Sequence, residues 1–144
     1  MYIINEKTNY LLFDGKRTII NERNNIKYNN GNCLEKILVN SCIYYGCTLD
    51  GRIKAAKSLI SSRYKIPVII SEKNNIIFFQ VKGKKEIIWF NFNRIIDFNR
   101  AGNGINVVFK DNYCKKFALS WSIFNNQILK SSRLIYVFSI RVNN

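Results

Sequence analysis

Residues 41–54 read Ser-Cys-Ile-Tyr-Tyr-Gly-Cys-Thr-Leu-Asp-Gly-Arg-Ile-Lys, and they decide the fold because one helical period ends in this stretch and another begins. From residue 34 into this stretch, mainly apolar residues recur every three or four positions, which is the spacing of one helix face. These residues are Leu34, Ile37, Leu38, Ser41, Cys42 and Tyr45. Asn32 is predicted as the N-cap, with Glu35 in the capping-box position. Gly46 predicts the helix end, because glycine tolerates the positive φ of a helix C-terminus.

A second helix is predicted from about Leu49 to Ser61. Its apolar stripe has the spacing of a core-facing helix and consists of Leu49, Ile53, Ala56 and Ile60. Lys54 and Lys57 point away from this stripe, and Arg52 lies at its edge. Two helices joined by a very short turn that contains glycine form a unit similar to a helix-turn-helix. The two glycines of the quoted stretch are interpreted as backbone positions rather than ligand contacts.

Upstream of these helices, residues 9–21 predict a β-hairpin. Its strands are Tyr10–Phe13 and Thr18–Asn21, and Asp14-Gly15 between them suits a tight turn. Residues 22–32 are polar and rich in asparagine, so we expect a loop around a short strand at Ile26–Tyr28.

Downstream of Pro67 the pattern changes to short apolar strands separated by turn residues. The predicted strands are Val68–Ser71, Ile76–Val81, Ile87–Phe92, Arg94–Phe98, Ile105–Lys110 and Tyr113–Leu119. A third helix is expected to follow with Ser122 as its N-cap, whereas residues 134–142 fit either a strand or a helix. The sequence therefore predicts one α+β domain over residues 1–144. In it, an antiparallel β meander of about five to six strands packs with two or three helices and follows an N-terminal hairpin.

The charge of the chain indicates a polyanionic partner. Its 144 residues carry 23 Lys and Arg against 9 Asp and Glu, a net charge of +14. Such an excess opposes compaction through self-repulsion, and nucleic acid would neutralise it. A hydrophobic fraction of 47% is typical of a folded core rather than a disordered tail.

Enzyme chemistry has little support in the sequence. The chain has no histidine, so the commonest general base and an imidazole metal ligand are both missing. The aspartates show no paired spacing, and no Walker-type phosphate loop is present. The cysteines, at 33, 42, 47 and 114, lack zinc spacing and are expected to be reduced thiols. We expect no enzyme activity, no metal and no cofactor, and neither a signal peptide nor a membrane span.

Two segments carry the candidate nucleic-acid contacts. The first supplies Arg52, Lys54 and Lys57, with Arg63 just beyond them, and the second supplies Asn126, Lys130 and Arg133. Cations on a rigid element suit phosphates, and amides can read base edges. Alternatives stay open, because Arg52 could brace the helix turn, Lys54 and Lys57 could simply be solvated, and Asn126 or Gln127 could satisfy buried backbone.

Two further groups have competing interpretations. Lys82, Lys84 and Lys85 lie at a predicted hairpin tip, where they would be solvated or would act as a wing on a neighbouring groove. A dense aromatic set could stack on single-stranded bases or pack the core, and core packing is favoured; it consists of Trp89, Phe90, Phe92 and Phe98.

The ordered motifs of the chain resemble the competence transcription factor family, ComK. The quoted stretch carries the pattern Ser-Cys-x-aromatic-aromatic-Gly followed by Gly-Arg, and further matches come in the family's order over residues 35–135. They are Pro67 with its apolar run, Ile88-Trp89, and the segment with Ser122, Asn126, Gln127 and Lys130. One departure is Phe79-Gln80, which stands where the family has Phe-Pro.

The resemblance implies a cytoplasmic activator of competence genes that binds AT-rich double-stranded DNA through the minor groove. It also implies homo-oligomers, cooperation with RNA polymerase, and control by an adaptor that delivers the protein to a Clp protease. Two other hypotheses remain open: a basic protein-interaction module that does not bind DNA, and an RNA-binding protein.

Overall fold

A computed structural model describes residues 1–23 and 25–143 of the chain and shows an α+β fold. The strands are β1 (Thr8–Phe13), β2 (Arg17–Glu22), β3 (Asn25–Asn30), β4 (Val68–Ser71), β5 (Ile76–Lys82), β6 (Ile87–Asn91), β7 (Ile95–Ala101), β8 (Gly104–Phe109) and β9 (Cys114–Phe117). The helices are α1 (Leu34–Tyr44), α2 (Leu49–Ile60) and α3 (Trp121–Asn143), and a 3₁₀ turn covers Phe92–Arg94. The predicted fold class is confirmed.

The larger sheet has six strands in the order β3-β2-β1-β6-β5-β4, and every neighbouring pair is antiparallel. The N-terminal hairpin is confirmed, and its turn is closed by Asp14, whose Oδ1 accepts from the N–H groups of Lys16 and Arg17 at 2.9 Å each. The hairpin is not a separate unit, however. β1 pairs with β6, so the N-terminal strands continue the sheet that begins with β4 and β5.

The predicted meander is divided, because β7, β8 and β9 form a second, three-stranded sheet. Aromatic rings fill the space between the two sheets and α3. Phe90 lies 5.0 Å from Phe117 and 5.2 Å from Phe124 between ring centroids, with edge-to-face geometry that suits aromatic pairs. Phe92 and Phe98 pack against this cluster, and Trp89 packs against a neighbouring one. Core packing is therefore the correct interpretation of these aromatic residues.

Helix α1 differs from its prediction at its start and agrees with it at its end. Asn32 is not the N-cap. Cys33 occupies that position without a side-chain cap, and Asn32 Oδ1 accepts from the N–H of Leu34 at 3.1 Å. At the other end, Gly46 has a φ of 86°, as predicted for the residue after the helix. An asparagine side chain can accept from a backbone N–H of the first helical turn when it lies one residue before the N-cap. The predicted N-cap was therefore one residue too early.

Helix α2 begins with a cap that the sequence reading did not identify. Thr48 is the N-cap, and its hydroxyl accepts from the N–H of Gly51 at 3.1 Å. Gly51 lies in the first turn of α2 without a positive φ, and a Cβ built there would lie 2.8 Å from the Thr48 hydroxyl. Ala56 and Ile60 are buried, and they belong to a cluster that includes Leu134 of α3. The stripe therefore faces the core.

Helix α3 resolves the ambiguity of residues 134–142 in favour of a helix. Its predicted N-cap was wrong by two residues. The helix begins at Trp121, and the hydroxyl of Ser120 accepts from the N–H of Ile123 at 3.4 Å. Both serines can accept from local backbone N–H groups, so the sequence alone did not separate them.

Candidate nucleic-acid interface

A cleft of about 400 Å³ lies between the end of β5 and the first half of α3. Three lysines line it, one from each of three chain segments: Lys65, Lys82 and Lys130. Its other polar lining comes from the amides of Gln80, Asn126 and Gln127, and no acidic side chain is among its lining residues. Three cations around an opening without a carboxylate create a positive potential, so the cleft is suited to an anionic ligand.

Gln127 fixes one wall of the cleft. Its side chain is only 3% exposed, and Nε2 donates to the backbone oxygen of Gln80 at 2.7 Å. This bond ties α3 to the backbone of β5. Gln127 therefore satisfies buried backbone, one of the two roles considered for it. The neighbouring residue Asn126 is exposed and lines the cleft, where its amide is accessible to a ligand.

The segment after α2 forms a second wall. Lys130 Nζ donates to the backbone oxygen of Tyr64 at 2.9 Å, and Lys65 Nζ donates to Oε1 of Gln80 at 3.4 Å. These contacts hold the basic run Arg63-Tyr64-Lys65 against α3 and β5. Arg63 is exposed, and Tyr64 is 78% exposed, so a cation and an aromatic ring face solvent next to the lysine cleft.

Helix α3 extends the basic surface beyond the cleft. Asn126, Lys130 and Arg133 follow one another at helical spacing, so they share one side of α3, and Arg141 falls on the same side further along. Arg133 and Arg141 are exposed. The predicted grouping of residues 126, 130 and 133 on one face is therefore present in the structure, and it adjoins the cleft.

The candidates on α2 occupy different surroundings. Arg52 is mostly buried and donates from Nη2 to Oε2 of Glu72 at 2.6 Å. Lys54 is exposed and forms an ion pair with Asp50 at 3.1 Å, one helical turn away. Lys57 is exposed in the last turn of α2. None of these three residues lines the lysine cleft.

Two cleft lysines were not among the predicted contacts. Lys65 is outside the predicted set, although it belongs to the basic run that ends before Pro67. Lys82 was predicted only as part of the hairpin tip with Lys84 and Lys85, both of which are exposed. The side chains of residues 65, 82 and 130 meet only in the folded chain, and no periodicity in the sequence connects them.

Other kinds of site have less support in the structure. The four cysteines are free thiols. Within residues 1–23 and 25–143, no group of three metal-ligating side chains is found. In the same part of the chain, no helix combines the length and the apolar character needed to cross a membrane.

The fold and this surface define a basic α+β protein with exposed cations along one helix and in the cleft beside it. Comparison with protein families matches residues 1–143 to the family described as ComK protein. The chain therefore belongs to the ComK family, a family of competence-related transcription factors rather than enzymes. Neither a curated protein nor a solved structure matches the chain.

Proposed function

We propose that this protein activates competence genes by binding AT-rich double-stranded DNA, and that the lysine cleft is the centre of its DNA-binding surface. The observation that carries the proposal is the convergence of Lys65, Lys82 and Lys130 on one opening that no carboxylate lines. Lysines that converge in this manner can bind phosphates, and phosphate contacts set the register of a protein on a duplex. Membership of a transcription factor family supports DNA as the polyanion.

Asn126 is the residue proposed to contact bases. Its amide is exposed at the edge of the cleft, between lysines that would hold the backbone. The minor groove of an A·T pair presents acceptors only, so an amide N–H₂ group is a suitable donor there. Arg63, two residues before Lys65, and Arg133, one helical turn beyond Lys130, are further exposed cations. Arginines favour the narrow minor groove of A-tracts.

The cellular setting is part of the same proposal. Family membership supports action in the cytoplasm as a homo-oligomer, together with RNA polymerase, and removal through an adaptor and a Clp protease. The lysine cleft is independent of these partners and can be tested on the purified chain.

The first experiment separates DNA from the other partner classes. Gel-shift titrations compare a duplex with A-rich and T-rich boxes, a GC-rich duplex and an RNA hairpin at one salt concentration. The proposal predicts tightest binding to the AT duplex. Equal affinity for all three would leave only a non-specific basic surface, tighter binding to the hairpin would indicate an RNA-binding protein, and no binding would favour a protein-interaction module.

The second experiment locates the surface. Replacing Lys65, Lys82 and Lys130 together by Gln should reduce the slope of log affinity against log salt by about three units, because each lost phosphate contact removes about one. A control variant with Gln at Lys16, Lys36 and Lys73, which are all exposed, loses the same charge elsewhere. An equal loss in both variants would contradict a localised site, and thermal melting checks that both remain folded.

The choice of groove is tested by replacing thymine with uracil in the AT duplex. This change removes only the methyl group that thymine presents in the major groove. We expect affinity to change by less than about twofold, since minor-groove contacts are preserved. A large loss would show that an element of the protein enters the major groove.

A further inference from the structure

The turn that ends α1 brings two cysteines together. The N–H of Cys47 donates to the carbonyl oxygen of Cys42 at 2.9 Å, and the N–H of Gly46 donates to Ile43 at 3.0 Å. This pair of bonds is the Schellman motif, in which the side chains of the two outer residues touch. Here those residues are Cys42 and Cys47, and the thiol of Cys47 also donates to the Cys42 carbonyl oxygen at 3.3 Å. Cys47 also packs against the apolar cluster that contains Cys42, so the motif brings the two cysteines together at the end of α1.

The two thiols differ in accessibility. Cys42 is fully buried, whereas Cys47 is partly exposed. Burial, followed by the neighbouring Cys47, raises the pKa of the Cys42 thiol to about 12. Cysteines that sense oxidants are accessible and often lie next to a second cysteine that resolves them, which is the arrangement of Cys47 and Cys42.

A cation completes the group. Burial alone would lower the pKa of Arg52, but its contacts with Cys47 and Glu72 outweigh burial and raise it, so the guanidinium beside the Cys47 sulfur stays charged. Cysteines that react with oxidants occur next to such cations. Cys33 is the N-cap of α1 and Cys114 begins β9, so neither belongs to this turn and both are internal references.

We propose that Cys47 is an oxidation site for hydroperoxides and that Cys42 resolves it into a reversible disulfide across the α1–α2 junction. In the first step the thiolate sulfur of Cys47 attacks the terminal oxygen of the hydroperoxide. The O–O bond breaks, Cys47 becomes a sulfenic acid, and the departing oxygen takes up a proton to give an alcohol, or water from hydrogen peroxide. In the second step the Cys42 sulfur attacks the Cys47 sulfur, the S–S bond forms, and the S–OH oxygen leaves as water with the Cys42 proton.

In sum, two thiols and one hydroperoxide give one disulfide, one alcohol and one water. The two sulfurs are oxidised by two electrons in total and the hydroperoxide is reduced. A dithiol reductant reverses the change by thiol–disulfide exchange. Disulfides that form and break in this manner are typical of redox sensing in reducing compartments.

The test uses the purified chain and hydrogen peroxide. After oxidation the protein is denatured, its remaining thiols are alkylated with iodoacetamide, and its peptides are mapped by mass spectrometry. We expect an intramolecular Cys42–Cys47 linkage that dithiothreitol removes, in wild type and equally in a Cys33→Ser, Cys114→Ser variant. Disulfide-linked dimers through Cys114, with residues 42 and 47 both alkylated, would overturn the proposal.

Single variants assign the roles of the two cysteines. Cys42→Ala should leave the oxidised Cys47 as a sulfenic acid that dimedone labels, and Cys47→Ala should leave Cys42 fully alkylated after peroxide treatment. If Cys47 of the Cys42→Ala variant takes up no dimedone after peroxide treatment, the proposal is also contradicted. The wild-type peptide map needs no variant, so a misfolded variant does not remove the test. None of these measurements involves DNA, so their outcome is separate from that of the DNA-binding proposal.

Discussion

The guanidinium of Arg52 donates a 2.6 Å hydrogen bond to the carboxylate of Glu72, which joins α2 to the turn after β4. The side chain of Arg52 is only 19% exposed, whereas that of Glu72 is 54% exposed. The Nε atom of Arg52 is buried as well. An arginine held in this manner braces the position of α2, and its stem also fills space against its neighbours. The structure thus favours the bracing role over insertion into a DNA groove.

Arg52→Ala is expected to reduce stability and DNA affinity together. Losing the ion pair and the packed stem should lower the free energy of unfolding by about 1 kcal/mol, the upper range for partly exposed pairs. Urea unfolding followed by circular dichroism measures this change. Lys57→Ala, on the same helix but exposed, is the control and should change stability by less than about 0.5 kcal/mol. A folded Arg52→Ala variant with unchanged melting and a weaker AT preference would restore the groove-contact hypothesis.

The contacts of Glu22 predict a loss of stability in acid. The Tyr2 hydroxyl donates to Glu22 Oε2 at 2.7 Å, and Asn5 Nδ2 donates to the same oxygen at 3.2 Å. Partial burial opposes ionisation, but these bonds and the charges of Lys27 and Lys7 outweigh it and lower the pKa of Glu22. Glu22 therefore contributes its full stabilisation above the pKa of glutamate in the unfolded chain, about 4.3. This contribution is lost as the pH falls through the lower pKa of Glu22 in the folded protein.

Glu22→Gln should therefore be less stable than wild type at neutral pH, and the difference should shrink below about pH 4. Urea midpoints measured across this range test the prediction. Glu35→Gln, an exposed position on α1, removes one carboxylate elsewhere and is the control for the change in net charge. The prediction would be wrong if the difference in urea midpoint between wild type and Glu22→Gln stayed constant down to acidic pH. The hydrogen bonds would then not stabilise the ionised form of the carboxylate.

Local signals in the sequence predicted most elements. Short apolar runs bounded by turn residues predicted the strands, because turn chemistry acts over a few residues. The end of α1 at Gly46 was predicted for the same reason. The division into two sheets was not predicted, because it depends on β1, from the start of the chain, occupying the place beside β6 that β7 would take in a continuous meander. That choice is a tertiary effect that strand propensity does not encode.

The candidate site was predictable only in part. Helical spacing placed Asn126, Lys130 and Arg133 on one face, because that relation follows from the geometry of a single helix. The contributions of Lys65 and Lys82 depend on how the segment after α2 and the end of β5 meet α3. The role of Arg52 was left open because its partner, Glu72, lies on another element.

Gly51→Ala is expected to show strong coupling to Thr48. A Cβ at residue 51 would lie 2.8 Å from the Thr48 hydroxyl, so the new methyl group and the cap compete for one space. Alanine favours the helix by up to about 1 kcal/mol over glycine, and loss of the cap costs about the same, so the single substitution should change stability little or lower it. In a Thr48→Ala background, where the cap is already absent, Gly51→Ala should instead raise stability.

Chemical denaturation of wild type, both single variants and the double variant completes this thermodynamic cycle. Additive effects, with Gly51→Ala equally stabilising in both backgrounds, would show that the Thr48 hydroxyl moves aside without losing its bond. A coupling of at least about 0.5 kcal/mol is the expected result.

Arg94 and Asp111 predict the largest loss of stability outside the apolar core. Arg94 Nε donates to Oδ1 of Asn9 at 3.0 Å, and Arg94 Nη2 lies 3.7 Å from Oδ1 of Asp111. The side chain of Arg94 is 14% exposed and that of Asp111 is 11% exposed. Asn9 belongs to β1 and Arg94 precedes β7, so the group connects the two sheets. Arg94→Ala leaves the Asp111 carboxylate mostly buried beside Asn9 without its cation, which should cost about 3 kcal/mol.

The double variant Arg94→Met, Asp111→Leu separates the cost of an unpaired charge from the value of the pair itself. Replacing a buried ion pair by apolar side chains of similar volume is often close to neutral. We therefore expect the double variant to recover most of the stability that Arg94→Ala loses, measured as the urea midpoint at neutral pH. If the double variant is as unstable as Arg94→Ala, the ion pair and its bond to Asn9 are needed to hold the two sheets together. If Arg94→Ala itself unfolds at the wild-type midpoint, water reaches Asp111 and the connection contributes nothing to stability.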